Sequence, residues 1–276
     1  MTAATTAAGD WGAVAPAWDS NADYVERHSV AGTDALVGAA GVRPGDRVLE
    51  LAAGPGTLGG RWSQLVGPSG RVVLSDIAPE MVDVARRRNA HHPNVDVAVL
   101  DASSIDEADG SFDVVVCRMG LMFAPDPAVA LAEIRRVLRD GGRLAAMTWA
   151  GIEHNPWMTC VGMAAMMNGL VAGGPPVGPG GIFSLGDPAR LATLARDAAF
   201  VDVIVEEVPT VFESDSIDTH VERVSALAGP LAAAFLAATP EQLDAVRRTA
   251  AQLAAEHVGE HGVSLPGRAL VVAGRV

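Results

Sequence analysis

Lysine is missing altogether from this 276-residue chain, and all 20 of its Lys-plus-Arg positions are arginine. Against 33 acidic residues this leaves a formal net charge of −13, which argues against a track for nucleic-acid phosphates. The main basic cluster, Arg86, Arg87 and Arg88, closes a predicted helix, where cations complement the dipole. Cysteine is nearly absent too. Cys117 and Cys160 are too few for a disulfide scaffold and lack C-x-x-C spacing, so a reducing, cytoplasmic setting is expected, with both as small core residues. Hydrophobic residues make up 49% of the chain, yet no apolar run reaches the roughly 18 residues that span a bilayer. The N-terminus, MTAATTAAGDWG, has no basic segment followed by an apolar core, so it reads as a frayed tail rather than a secretion signal. No metal site is expected.

What is present is alternation. A helix is predicted over 19–40, ending at Gly41. Five short apolar strands follow: RVLELA (47–52), RVVLSD (71–76), VDVAVLD (95–101), FDVVVCR (112–118) and RLAAMTW (143–149). Helices are predicted between them, including 57–66, one opened by Pro79, and 127–139, whose Val129, Leu131, Ile134, Val137 and Leu138 form one apolar stripe. Strands that are apolar throughout and alternate with helices predict a parallel sheet covered on both faces. The chain then becomes rich in Met, Gly and Pro over 151–186. A helix is expected at 187–199, a strand at 201–212, an Ala-rich helical stretch at 216–258, and a closing strand at 268–276. The predicted organisation is a tail with lid helices (1–40), a core (41–150), a capping insertion (151–186) and a C-terminal part of the core (187–276).

Ligands of parallel sheets bind beyond the carboxyl ends of the strands. Gly54, Gly56 and Gly59 there spell G-x-G-x-x-G, and Asp76 stands where a ribose-binding acid would. Letter for letter this is a dinucleotide fingerprint, so a nicotinamide oxidoreductase is one reading. Glu50 argues against it. An acid four residues before the first glycine repels a diphosphate and suits a cation. S-adenosylmethionine (SAM) carries an ammonium and a sulfonium and no phosphate. Three acids on successive strand ends match its polar parts: Glu50 for the ammonium, Asp76 for the ribose hydroxyls and Asp101 for the adenine amine. A helix N-cap is the plainer role for Asp101.

The segments VLELAAGPG, VVLSDIAPEMVDVARRR, VLDASSI and FDVVVCRMGLMFAPDPAVALAEIRRVLRDGGRL resemble the class I SAM-dependent methyltransferases, especially the small-molecule branch that includes the ubiquinone/menaquinone C-methyltransferases. The resemblance covers about residues 10–150. It implies a doubly wound, seven-stranded, mostly parallel sheet of order 3-2-1-4-5-7-6 with one antiparallel strand and helical lid insertions. It implies that Glu50 and the backbone of Ala52, Gly54 and Gly56 hold the methionine part of SAM, with S-adenosylhomocysteine (SAH) as product. Asp76 would bind ribose, Ile77 and Met81 would pack near the adenosine, Asp101 and Ala102 would face adenine, and the Cys117 carbonyl would help hold the amino-acid end. Ala52 departs from the family, which usually has Gly there. WGAVAPAWD resembles the branch's Y-D-x-x-A-x-x-Y-D stretch, which implies that Trp18 closes over SAM.

Methyl transfer needs alignment first and a base only where the acceptor loses a proton. His154, just past the fifth strand, is the candidate base and acceptor-binding group, with His28 behind it. His91, His92, His220, His257 and His261 read as surface residues. Met163 and Met167 lie at helical spacing after Trp157, and Met122 and Phe123 follow the fourth strand; together they predict an apolar or aromatic small-molecule acceptor, and core packing is the plainer role for the methionines. The glycine- and proline-rich loop 171–181 is a candidate gate. The chain is thus expected to be a SAM-dependent methyltransferase of secondary metabolism, with O, N or C as acceptor atom left open and a homodimer allowed. A SAM-fold protein using the cofactor as a scaffold for a non-methyl reaction, or as a binding partner only, is the alternative.

Overall fold

Strands β1 (Arg47–Leu51), β2 (Arg71–Asp76), β3 (Val95–Val99), β4 (Phe112–Arg118) and β5 (Leu138–Trp149) pair in parallel in the order β3-β2-β1-β4-β5 in the computed structural model, which describes residues 3–276. The sheet continues through β6 (Val201–Ser214), the two-residue β7 (Val258–Gly259) and β8 (Gly262–Arg275). β8 lies antiparallel between β5 and β6, and β7 pairs only with β8. With that short hairpin partner counted apart, the order is the one the family resemblance implies. Val48, Leu49, Val114, Val115 and Val116 are fully buried, which explains why the central strands read as apolar runs.

Helices α1 (Ala3–Ser20), α2 (Ala22–Ala40), α3 (Gly59–Val66), α4 (Pro79–Asn89) and α5 (Pro127–Val137) accompany the parallel half. Proline opens α4 and α5, and Asp126 caps α5 by accepting from the amides of Ala128 and Val129. The C-terminal half adds α6 (Pro156–Met167), α7 (Pro188–Asp197), α8 (Ile217–Leu227), α9 (Gly229–Ala237) and α10 (Pro240–Leu253). α2 packs across β4, β5, β6 and β8, while α1 rests on α4, α8 and α9.

Four expectations change. The N-terminal segment is helical from Ala3 onward, as its alanine content favours; Met1 and Thr2 lie outside the described residues. The helical stretch at 216–258 is three helices, because Pro230 and Pro240 each restart the chain at a first helical turn. The closing strand begins at Gly262 rather than 268, where β7 turns back on it. The strand after α5 likewise begins at Leu138, where pairing with Phe112 starts ahead of a register shift.

Candidate functional site

β1 is flanked on both sides, so Glu50 lies in register between Leu74 of β2 and Val116 of β4. Its side chain is 1% exposed and its Oε2 accepts from Trp62 Nε1 at 2.8 Å. Burial pushes the carboxyl up to about 7, against the charge of Arg118 and the indole bond. A carboxylate in a strand interior with one neutral donor is a poorly compensated charge, and the environment suits an added cation.

After β1 the chain turns sharply. Ala52 has φ +52°, and Gly54 and Gly56 have φ +54° and +72°. Gly56 also admits no side chain, since a Cβ there would meet Ala85 and Asn89 of α4. Asp76 ends β2 and folds this turn onto itself. Its Oδ2 accepts from the Gly54 amide at 2.9 Å and its Oδ1 from the Ala78 amide at 3.0 Å. Each carboxylate oxygen keeps a second lone pair for a diol. Burial raises the Asp76 carboxyl despite the amide bonds from Ala78, Gly54 and Ile77. Asp101 follows β3 and forms an Asx turn, Oδ1 accepting from the Ser103 amide at 2.8 Å, rather than capping a helix. Ile77 and Ala102 are half-buried next to these acids.

Cys117 is buried in β4, and burial drives its thiol up to about 12, so it stays protonated. Arg118, beside it, closes β4, and sequence reasoning placed it at that strand end without giving it a role. Its Nη2 donates to Glu26 Oε1 of α2 at 2.6 Å and to Thr57 Oγ1 of the glycine turn at 2.7 Å, and its Nη1 donates to Thr33 Oγ1 at 3.1 Å. Thr57 in turn donates to Glu26 at 2.6 Å. Burial raises the Glu26 carboxyl, but the Arg118 charge and the donated bonds outweigh it and hold the group below the usual carboxylate range.

Trp18 donates Nε1 to the Leu227 carbonyl at 3.0 Å, which tethers α1 to the end of α8. Met81 is buried in the same cluster with Val14, Ala15, Ala78 and Ala232. Trp11 meets Phe123 edge-on at 4.9 Å. Met122 is buried, its carbonyl accepting from Ser184 Oγ. Trp157 sits in an aromatic stack, 4.2 Å from the Phe212 ring and 4.8 Å from Trp149. Met163 packs near Gly174 and Met167 points to solvent.

His154 is in a short turn at Ile152–His154, 3.4 Å from Glu153, on the wall of a cavity of about 440 Å³. Apolar Ile152, Val177 and Phe183 share the lining with charged Glu153, Asp187, Arg190 and Glu207, and no glycine-turn residue takes part. One histidine expectation is overturned. His220 is fully buried on the inner face of α8, with Nε2 2.6 Å from the Trp157 carbonyl. A carbonyl only accepts, so Nε2 carries the proton and Nδ1 is left without a partner. His257 and His261 stand in H-x-x-E-H spacing, but a tight turn and the β7–β8 hairpin carry them, so no helix face presents both. Among the described residues no three His, Cys, Asp or Glu side chains gather as a metal site.

Residues 48–142 match the family described as a methyltransferase domain. The chain is 40% identical over 118 residues to the ubiquinone/menaquinone biosynthesis C-methyltransferase UbiE of Teredinibacter turnerae, covering 42% of this chain and 47% of that protein. It is 46% identical over 109 residues to an uncharacterized 37.1 kDa protein in transposon TN4556 of Streptomyces fradiae, covering 40% of this chain and 32% of that one. These matches span less than half the length of either relative. The fold is shared with the crystal structure of a putative methyltransferase from Bacillus halodurans, at TM-score 0.59 and 19% identity over 88% of this chain and 97% of the other.

Proposed function

We infer that this chain, a class I methyltransferase of the UbiE-resembling type by its 48–142 domain and its sheet, transfers a methyl group from SAM to an apolar or aromatic small molecule. One observation supports the reading: three adjacent parallel strands carry an acid at or just past their carboxyl ends, Glu50 one residue before the end of β1, Asp76 as the last residue of β2 and Asp101 two residues after β3, with the buried Glu50 beside a glycine turn. A dinucleotide would bring a diphosphate against that acid, and SAM would bring an ammonium. When bound, SAM supplies a methyl group activated by its sulfonium.

The chain's own residues bind and align. Glu50 takes the ammonium, and the backbone of Ala52, Gly54 and Gly56 with the Cys117 carbonyl holds the amino-acid end. Asp76 accepts the ribose hydroxyls while keeping the turn folded. Ile77, Met81, Asp101 and Ala102 frame the base, and Trp18 anchors the helix that closes above it. Met122, Phe123, Trp157 and Met163 make the acceptor side apolar. His154, on the cavity wall, binds the acceptor and takes its proton where one must leave. The names of the UbiE relatives, enzymes of quinone biosynthesis, support a lipophilic acceptor. A cytoplasmic setting accords with two buried, unpaired cysteines; among the described residues no helix is long and apolar enough to cross a membrane.

The test is conversion of labelled SAM to SAH in the presence of a panel of lipophilic phenols, quinols and amines. Methyl label on one acceptor class is the expected result. SAM that binds but is not consumed with any acceptor would point instead to a scaffold role.

A further inference from the structure

Two facts about Arg118 do not follow from a merely structural ion pair. It is a cation brought to the mouth of the site at the end of β4, one strand from the buried acid Glu50, whose ionisation its charge favours. It also touches both the glycine turn, through Thr57, and the N-terminal helix α2, through Glu26 and Thr33. An acid and an arginine on neighbouring strand ends, with a glycine turn between them, complement the two ends of a zwitterionic α-amino acid. The guanidinium side of this pair is held by a carboxylate the chain supplies itself, at 2.6 Å.

We propose that Arg118 is the receptor for the α-carboxylate of the amino-acid end of the ligand, and that Glu26 is an internal stand-in for that carboxylate which latches α2 over the site until the ligand displaces it. This rests on the function proposed above. Arg118 retains donors in a planar fork suited to a carboxylate. Glu26 is half-buried near the start of α2, whose later turns are anchored in the core by Leu36 and Ala40, so exchange requires movement of the first turns of α2 and not of the whole helix. Displacing Glu26 also breaks the hydrogen bond that ties α2 to Thr57, so binding and movement of α2 are coupled.

The experiment is calorimetric titration of wild type, Arg118→Met, Arg118→Lys and Glu26→Gln with two ligands: SAH and its decarboxylated analogue, which keeps the amine and lacks the carboxylate. Wild type is expected to prefer SAH. Arg118→Met is expected to lose about thirty-fold or more in SAH affinity, as for a buried charge deprived of its partner, while its affinity for the decarboxylated analogue stays within about two-fold. Arg118→Lys should fall between. Glu26→Gln should bind SAH several-fold more tightly, because the competing carboxylate is gone. The analogue is the control for folding, since a misfolded variant loses both ligands and the lysine variant then decides. Equal losses for both ligands in Arg118→Lys, no loss in Arg118→Met, or weaker SAH binding by Glu26→Gln would each overturn the proposal. A wild-type protein that binds neither ligand would overturn the proposed function itself.

Discussion

The methyl group of Ala52 fills the space that a side chain on Gly120 would need. Ala52 stands at the end of β1 in the left-handed region, where alanine is strained, and Met119, next to Gly120 at the end of β4, is also left-handed at φ +60°. Two strained turns thus face each other across the mouth of the site, the kind of place where strain collects when function requires a shape. The family's usual glycine is replaced here, and the bare Gly120 opposite provides the room.

The first prediction follows from that pairing. Gly120→Ala alone should clash with Ala52 and lower the melting temperature by several degrees. Adding Ala52→Gly should restore most of the loss. Ala52→Gly by itself should stabilise by up to about 1 kcal/mol, the left-handed cost relieved less the extra chain entropy of glycine. Thermal unfolding of the two single variants and the double variant checks all three, and additive effects would show that the residues do not meet.

Glu50 should oppose stability. Its folded pKa, about 7, lies above the unfolded value near 4.5, so its contribution is fully present below about pH 4.5 and is lost as pH rises through 7. Glu50→Gln should therefore make the free protein more stable at pH 8, by roughly 3 kcal/mol at most, with little change at pH 4.5. The same variant should lose roughly 2–4 kcal/mol of SAH affinity if the carboxylate pairs with the ammonium. Denaturant unfolding at the two pH values, beside a titration, reads both. A variant that is less stable at pH 8 would remove the buried charge from the account.

Ligand binding should also release protons. Near pH 7 Glu50 is about half protonated in the free protein, and an ammonium beside it drives it to the ionised form. Titration with SAH in buffers of different ionisation enthalpy should show release of roughly half a proton at pH 7, falling toward zero at pH 8.5. Glu50→Gln should abolish the release. A buffer-independent enthalpy at pH 7 would contradict the pairing.

Asp76→Ala should weaken SAH binding more than a hundredfold, since Asp76 holds the Gly54 and Ala78 amides and, in the proposed function, takes the ribose. His154→Ala should lower turnover at least tenfold with SAH affinity unchanged, and full activity would take His154 out of the reaction.

The alternation of apolar strands and helices made a parallel sheet covered on both faces legible in the sequence, the family resemblance supplied the order of its strands, and the acids near the strand ends stood out because each sits in or after an apolar run that sets its depth. The role of Arg118 was illegible for the opposite reason. An arginine closing a strand looks like any solvated end until Glu26, 92 residues earlier in the chain, is brought beside it. His220 read as a surface residue because its neighbours Asp218, Thr219 and Glu222 are polar, yet its place on α8 turns it inward with Val221 and Val224. The stacking of Trp157 on Phe212 was likewise out of reach, because it needs β6 folded alongside. What depended on local pattern was readable, and what depended on which distant element packs opposite was not.

The central claim is that Glu50 makes the glycine turn a seat for a cationic amino acid rather than for a diphosphate. Thermal-shift titration of the wild-type protein with SAH and with NAD and NADP, repeated on Glu50→Gln, tests it most directly. SAH should raise the wild-type melting temperature by several degrees while the nicotinamide dinucleotides leave it unchanged, and the SAH shift should shrink in the variant. A larger shift with NAD or NADP than with SAH would contradict the account.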